Sequence, residues 1–334
     1  MDRDNLTQIN RPGGGPAGAI SRPPPLAASA ADGTTRRFGG LEPPQPRPPR
    51  WWLHGLLFVL TLASSTFCGG LYYGWLPSPD LLERVADPRL IAEGLKFSLP
   101  LMTILLAHEL GHYLAARRHG LHATPPYFLP MPIPLLFSPG TLGAVIRVKD
   151  PILSRRQLMD VGASGPIAGF VTLLPFLVFG VAASGVQAVP DSAAVYFGEP
   201  ILFRFVARVL FFGDLGIDQD IMLHPTAWAA WFGLFVTALN MLPFSQLDGG
   251  HVTYALFGRW HRVAAWPLVA SLFALGFLWP GWWVWSAIII VLGPRHPPVL
   301  DEHRPLDDRR QWFGWLALLI FVLSFSPRPI WLSS

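Results

Sequence analysis

Two histidines and a glutamate stand at the spacing of a metal-dependent hydrolase: residues His108 to His112 read His-Glu-Leu-Gly-His. Positions four apart share one face of a helix. Both imidazoles can therefore reach a single Zn²⁺ while Glu109 takes the proton of an activated water. The run before them, Phe97 to Ala107, is apolar enough to lie inside a membrane. A charge there costs roughly 2.5–3.5 kcal/mol on insertion scales, so its presence marks function. Chance matches to this pentapeptide are common in soluble proteins, but chance seldom sets two His and a Glu on an apolar spanning helix. Hydrolysis at bilayer depth is the expected chemistry.

A catalytic zinc needs a third protein ligand and an open position. His119 lies 11 residues beyond His108, about 16 Å along a helix at about 1.5 Å per residue, too far to share the ion. A metzincin continuation requires Gly at 115 and His at 118, where Ala115 and Arg118 stand. No glutamate follows Glu109 until Glu199, which falls on the opposite side of the membrane. The segment Leu239-Asn240-Met241-Leu242-Pro243, followed by Leu247-Asp248-Gly249-Gly250-His251, offers a better donor. Its proline and paired glycines break regular helix, free backbone groups and turn Asp248 toward a cavity. Asp248 is the expected third ligand, with His251 as the alternative.

The elements that must position these groups are membrane spans. Of the 334 residues, 51% are hydrophobic and only 14% charged, with 14 Trp and 23 Phe, and mean hydropathy is +0.38. Several apolar runs approach the roughly 20 residues that cross a bilayer. The expected fold is an all-α polytopic membrane protein of about six to seven transmembrane helices, with a small membrane-associated β-hairpin or re-entrant segment. Spans are expected near His54–Tyr73, Ile91–Ala116, Leu158–Ala183, Thr226–Leu242, Val263–Leu278 and Trp282–Leu292, with a short seventh at Trp312–Phe325. Residues 1–49, rich in Pro, Gly and Arg, read as a disordered cytosolic tail. The metalloprotease domain then takes 50–334, its core spans lying within about 91–251.

Basic residues gather at span ends on one side, among them Arg50, Arg117, Arg118, Arg155, Arg156 and Arg295. That side is cytosolic by the positive-inside rule, which puts the N-terminus and the active site at the cytosolic face. The loop Ser184–Pro225 faces the other way, with Asp191, Glu199, Asp214, Asp218 and Asp220 against two arginines, Arg204 and Arg208. The net charge of +4 is spread among loops, which argues against nucleic acid. The single cysteine, Cys68, excludes an internal disulfide and a multi-cysteine metal site. Gly162-Ala163-Ser164-Gly165 matches the GxSG of rhomboid serine proteases, but no partner histidine stands in the fifth or sixth span; its small residues read as helix packing. His54 and His296 read as interfacial or loop residues, and His224 as a residue that caps or packs the fourth span.

HELGH in one span and NMLPFSQLDGGH after a later one together resemble the site-2 protease family of intramembrane zinc metalloproteases. Gly165-Pro166-Ile167-Ala168-Gly169 and His224-Pro225 add to the resemblance, which runs from about the second span to the chain end. It implies one Zn²⁺ per chain, bound by His108, His112 and Asp248, with Glu109 as general base and Asn240 beside the scissile peptide. The form expected is compact, without the PDZ or CBS domain common in the family. Expected partners are transmembrane protein substrates and the lipid bilayer, in regulated intramembrane proteolysis, and the expected location is a bacterial inner membrane in preference to a plastid one. Pro125, Pro126, Pro130, Pro132 and Pro134 forbid a continuous helix, and Thr141–Lys149 reads as a strand whose free edge pairs with unwound substrate. The rival readings are a catalytically silent membrane scaffold or chaperone that kept the fold, and a zinc carrier. Retention of the base and every ligand opposes the first. A single site, with no chain of sites across the bilayer, opposes the second.

Overall fold

A computed structural model describes residues 49–73, 88–131, 139–188, 195–211 and 219–332. Apart from Pro49 the N-terminal tail lies outside them, as do Pro132, Pro134, Asp191, Asp214 and Asp218. Among the described residues three helices are long and apolar enough to cross a membrane: α1 (Trp51–Tyr73), α2 (Pro88–Arg118) and α3 (Arg155–Ala182). The protein is mainly helical and integral to the membrane. At about 1.5 Å per residue the 31 residues of α2 run roughly 47 Å, longer than a hydrocarbon core of about 30 Å. The bundle therefore projects a charged end beyond the apolar zone.

Close packing of α2 on α3 rests on missing side chains. A Cβ on Gly111 would lie 2.4 Å from the Ser164 carbonyl oxygen, and one on Gly165 would lie 2.1 Å from Nε2 of His112. Small residues let spanning helices approach where lipid provides no hydrophobic drive between them. The Gly-Ala-Ser-Gly run is thus a packing surface.

Helix α5 (Pro225–Asn240), preceded by α4 (Ile201–Leu210), is enclosed by α2 and α3. Its 16 residues are too few for an ordinary span, and Trp231, Phe232 and Leu234 are buried against Leu101, Ile104, Leu173 and Leu177. His224 caps it, accepting from the Thr226 amide at 3.2 Å. Outward faces of α2 and α3 expose Leu99, Leu110, Leu114, Val171 and Phe179, as bilayer-facing helices do. The remaining helices are α6 (Asp248–Phe257), α7 (Arg259–Leu275), α8 (Gly281–Leu292) and α9 (Asp308–Ser324).

The expected hairpin is β1 (Tyr127–Pro130) paired antiparallel with β2 (Thr141–Val145), Phe128 opposite Ala144. Regular pairing stops at Val145, and Val148 returns only as an isolated bridge to Ala123. Helix α1 holds the hairpin: Ser64 donates to the Gly140 carbonyl at 2.6 Å, and His54 Nδ1 donates to that of Pro126 at 3.0 Å. The first span therefore belongs to the structure that shapes the site. Two small sheets were not anticipated, β3 (Gly185–Ala188) with β5 (Gln219–Met222) and β4 (Val195–Phe197) with β6 (Ile330–Leu332). Strands of three or four residues leave almost no periodicity to read, and α4 is only ten residues long.

Candidate metal centre

Helix α2 sets His108 and His112 one turn apart, with Nε2 atoms 3.0 Å from each other. His112 Nδ1 lies 2.7 Å from the Val161 carbonyl on α3. A carbonyl only accepts, so this nitrogen carries the proton and Nε2 keeps its lone pair for the cavity. Asp248 Oδ2 completes the triangle, 3.1 Å from His108 Nε2 and 3.3 Å from His112 Nε2. Both imidazoles are buried. With neutral rings the cluster keeps a lone carboxylate charge in a poorly solvated place, a condition that a bound cation relieves. Tetrahedral bonds of about 2.0–2.1 Å place neighbouring donors roughly 3.3 Å apart, so the triangle and its N,N,O chemistry fit a zinc ion with one position left open.

The route that brings Asp248 here is a close backbone fold. Met241 to Leu247 turn away from α5, with Ser245 in the left-handed region at φ 48° and its amide donating to the Pro294 carbonyl at 3.1 Å. Helix α6 begins directly against this turn. A Cβ on Gly249 would sit 1.9 Å from the Met241 carbonyl oxygen, and one on Gly250 would sit 2.4 Å from that of Ser245. The glycine pair starts a helix rather than breaking one, and gives the clearance that lets its first residue reach across. At the far end of α6, Arg155 donates to the Ala255 carbonyl at 2.9 and 2.6 Å and to that of Leu256 at 3.0 Å. This basic residue, first seen as a topology marker, ties α3 to the helix bearing Asp248.

Glu109 is buried beside His108, and the Ile146 amide donates to its carboxylate. Ile146 follows β2 directly, so the backbone leaving the hairpin runs along the same cavity. That cavity, about 640 Å³, is lined by the three metal-site residues, Glu109, Asn240 and Ala144 to Val148. Asn240 ends α5 with its amide nitrogen 3.5 Å from His108 Nε2.

His251 does not join the donor triangle; its Nδ1 lies 2.8 Å from Nε2 of His296. His296 lies in the loop after α8, in keeping with the expectation of a loop residue, and both it and His54, in the first turn of α1, are buried. His54 packs on Tyr127, ring centroids 4.1 Å apart, and His296 stacks on Tyr254 at 4.5 Å. Burial pushes His296 down to about 4 and His251 likewise, with the neighbouring His296 adding to the second shift. His296 escaped sequence reading because Arg-His-Pro-Pro has no periodicity.

Fold and site together define a helical membrane protein with a candidate metal centre built at the charged end of its bundle. The model of peptidase family M50 matches residues 96–275, and the chain belongs to that family. It is similar to probable zinc metalloprotease EGY2, chloroplastic, of Arabidopsis thaliana, with 29% identity over 296 residues, covering 86% of this chain and 51% of the relative. Probable zinc metalloprotease EGY1, chloroplastic, of the same plant is 27% identical over 315 residues, covering 87% and 56%. The corresponding EGY3 protein of Oryza sativa subsp. indica is 25% identical over 248 residues, covering 68% and 41%. The chain thus spans about half the length of the curated relatives it matches. No solved structure matches it.

Proposed function

We propose that this protein is a zinc metalloendopeptidase that hydrolyses peptide bonds within transmembrane segments of other membrane proteins. The observation that carries the proposal is the convergence of His108, His112 and Asp248 on one point beside Glu109, where a spanning helix meets a cavity. Family membership and the printed names of the relatives support the same chemistry.

Zinc, when bound, supplies Lewis acidity, lowering the pKa of water toward about 7 and polarising a carbonyl. Every other part of the task falls to the chain. His112 is held in its donor tautomer by Val161, and Asp248 is held by the glycine-paired start of α6. Glu109, steadied by the Ile146 amide, takes a proton from water in the cavity and later gives it to the leaving amine. Asn240 holds the unwound substrate carbonyl or its developing negative charge through an amide donor. The backbone from Ala144 to Val148 supplies an edge against which an extended substrate pairs, since a helical substrate hides its carbonyls from attack. The basic residues at the helix ends support a reading in which this cavity opens at the cytosolic face. A role in regulated intramembrane proteolysis and residence in a bacterial inner membrane complete the proposal; the relatives are named chloroplastic, so a plastid membrane is the alternative location.

Cleavage of a co-expressed membrane substrate by wild type and by Glu109→Gln is the test. The expected loss is about 10²–10⁴-fold with zinc content unchanged. Equal cleavage by both would sink the protease assignment.

A further inference from the structure

A second pocket lies at the same end of the bundle, about 290 Å³ in volume, between the C-terminus of α2, α3 and the N-terminus of α9. Its charged lining is Arg118, Arg309 and Arg310 against the single carboxylate of Asp160, with His119 beside them. That carboxylate is already satisfied. Arg310 grips both its oxygens, Nε at 2.9 Å from Oδ1 and Nη2 at 2.7 Å from Oδ2, and His119 Nε2 lies 2.8 Å from Oδ2. Arg310 also pairs with Asp307, so three arginines against two carboxylates leave a formal charge of +1 (3 − 2). The surplus belongs to Arg118 and Arg309, neither of which has a carboxylate partner among the described residues. The Arg309 guanidinium instead lies over the Phe313 ring, 5.8 Å from its centroid.

A solvated basic surface would also leave arginines unpaired, but two features separate this pocket from one. Arg118 and Arg309 come from helices nearly two hundred residues apart and converge on one concavity. And the helix that brings Arg309 turns apolar at once: Trp312, Trp315, Leu316 and Leu319 are 74%, 52%, 44% and 52% exposed. Tryptophan at a helix end with leucine beyond it marks the boundary between headgroups and acyl chains. Basic pockets between spanning helices at that level suit anionic headgroups.

We propose that this pocket binds the phosphodiester of an anionic phospholipid, with Arg118 and Arg309 on the phosphate and the exposed face of α9 along the acyl chains. Arg310, His119 and Asp160 form the floor of the site, their charges already engaged with one another and with Asp307. The inference does not depend on proteolysis.

The test uses the detergent-solubilised full chain and native mass spectrometry of lipid retained after adding equal phosphatidylglycerol and phosphatidylcholine. Wild type is expected to prefer phosphatidylglycerol, and Arg118→Gln/Arg309→Gln to lose about tenfold of that preference. Arg117→Gln/Arg295→Gln, basic positions outside the pocket, keeps it. Arg118→Lys/Arg309→Lys retains most of it and guards against misfolding of the glutamine variant. No preference in wild type, or undiminished preference in the glutamine variant, overturns the proposal. Displacement of the lipid by an equal concentration of glycerol phosphate would overturn the lipid assignment in favour of a free phosphate site.

Discussion

Helix α2 and the turn that follows it contribute to two histidine–aspartate clusters, seven residues apart at their nearest histidines. In the first, His108 and His112 face Asp248; in the second, His119 faces Asp160. The second contains Arg310, which neutralises its carboxylate with a two-pronged hydrogen bond. The first contains no such cation among the described residues, and its two imidazoles point the same nitrogen at the same oxygen. The contrast teaches that residue type does not make a metal site. A histidine–aspartate pair with an arginine is complete as a structural joint, whereas two histidines and an aspartate with none are complete only around a cation.

The sharpest way to break this comparison is to remove a donor from each cluster. Asp248→Asn or His108→Ala is expected to abolish stoichiometric zinc, read by metal analysis of purified protein, and substrate cleavage with it. Retention of full zinc would show that the triangle is not the metal site. Gly165→Ala comes next, because the new methyl would overlap the His112 ring and displace a donor without deleting it. Its expected effect is a zinc affinity weaker by about 10–100-fold, the range for changes to a ligand's support, measured by competition with a chelator.

Asp160→Asn should act on stability alone. The Asp160–Arg310 pair is about a quarter exposed on each side, so its loss is worth about 1–2 kcal/mol after solvent screening. Thermal unfolding checks this, with zinc content unchanged; a drop in zinc would mean that the two clusters are coupled. The smallest effect concerns pH. His296 is held near 4 by burial, below its ordinary value of 6.5, while His251, His261 and Tyr254 face it. Its contribution to stability is therefore full above pH 6.5 and is lost as pH falls from there through about 4. Replacing it with Gln should flatten the acid limb of a thermal-midpoint profile between those values.

Much of this protein was legible before any coordinates. Seven helices could be placed from apolar run length, with ends within about four residues, because crossing a bilayer demands a minimum length and admits few charges. Three of them reach spanning length; α5 is instead short and enclosed, a distinction that run composition cannot make. His108, Glu109 and His112 were legible as one candidate group because a helix repeats every 3.6 residues, and Asp248 as a candidate because the expected topology set it at the depth of His112. The short strands at the other end were not, since pairing of segments tens of residues apart leaves no local pattern.

Local sequence carried the helices and the chemical types available at the site. Which histidines stand together with a carboxylate as a group able to hold a metal is a matter of tertiary packing. His108, His112, His119 and His251 all carry the same ring, and all stand near a carboxylate or another imidazole. What separates them is what each ring faces: Nε2 of His108 and of His112 both face Asp248 Oδ2, Arg310 already holds the Asp160 carboxylate beside His119, and Nδ1 of His251 faces His296. That depends on segments between 41 and 150 residues apart meeting within hydrogen-bond distance, which glycine clearances at Gly165, Gly249 and Gly250 permit and no local sequence signal records.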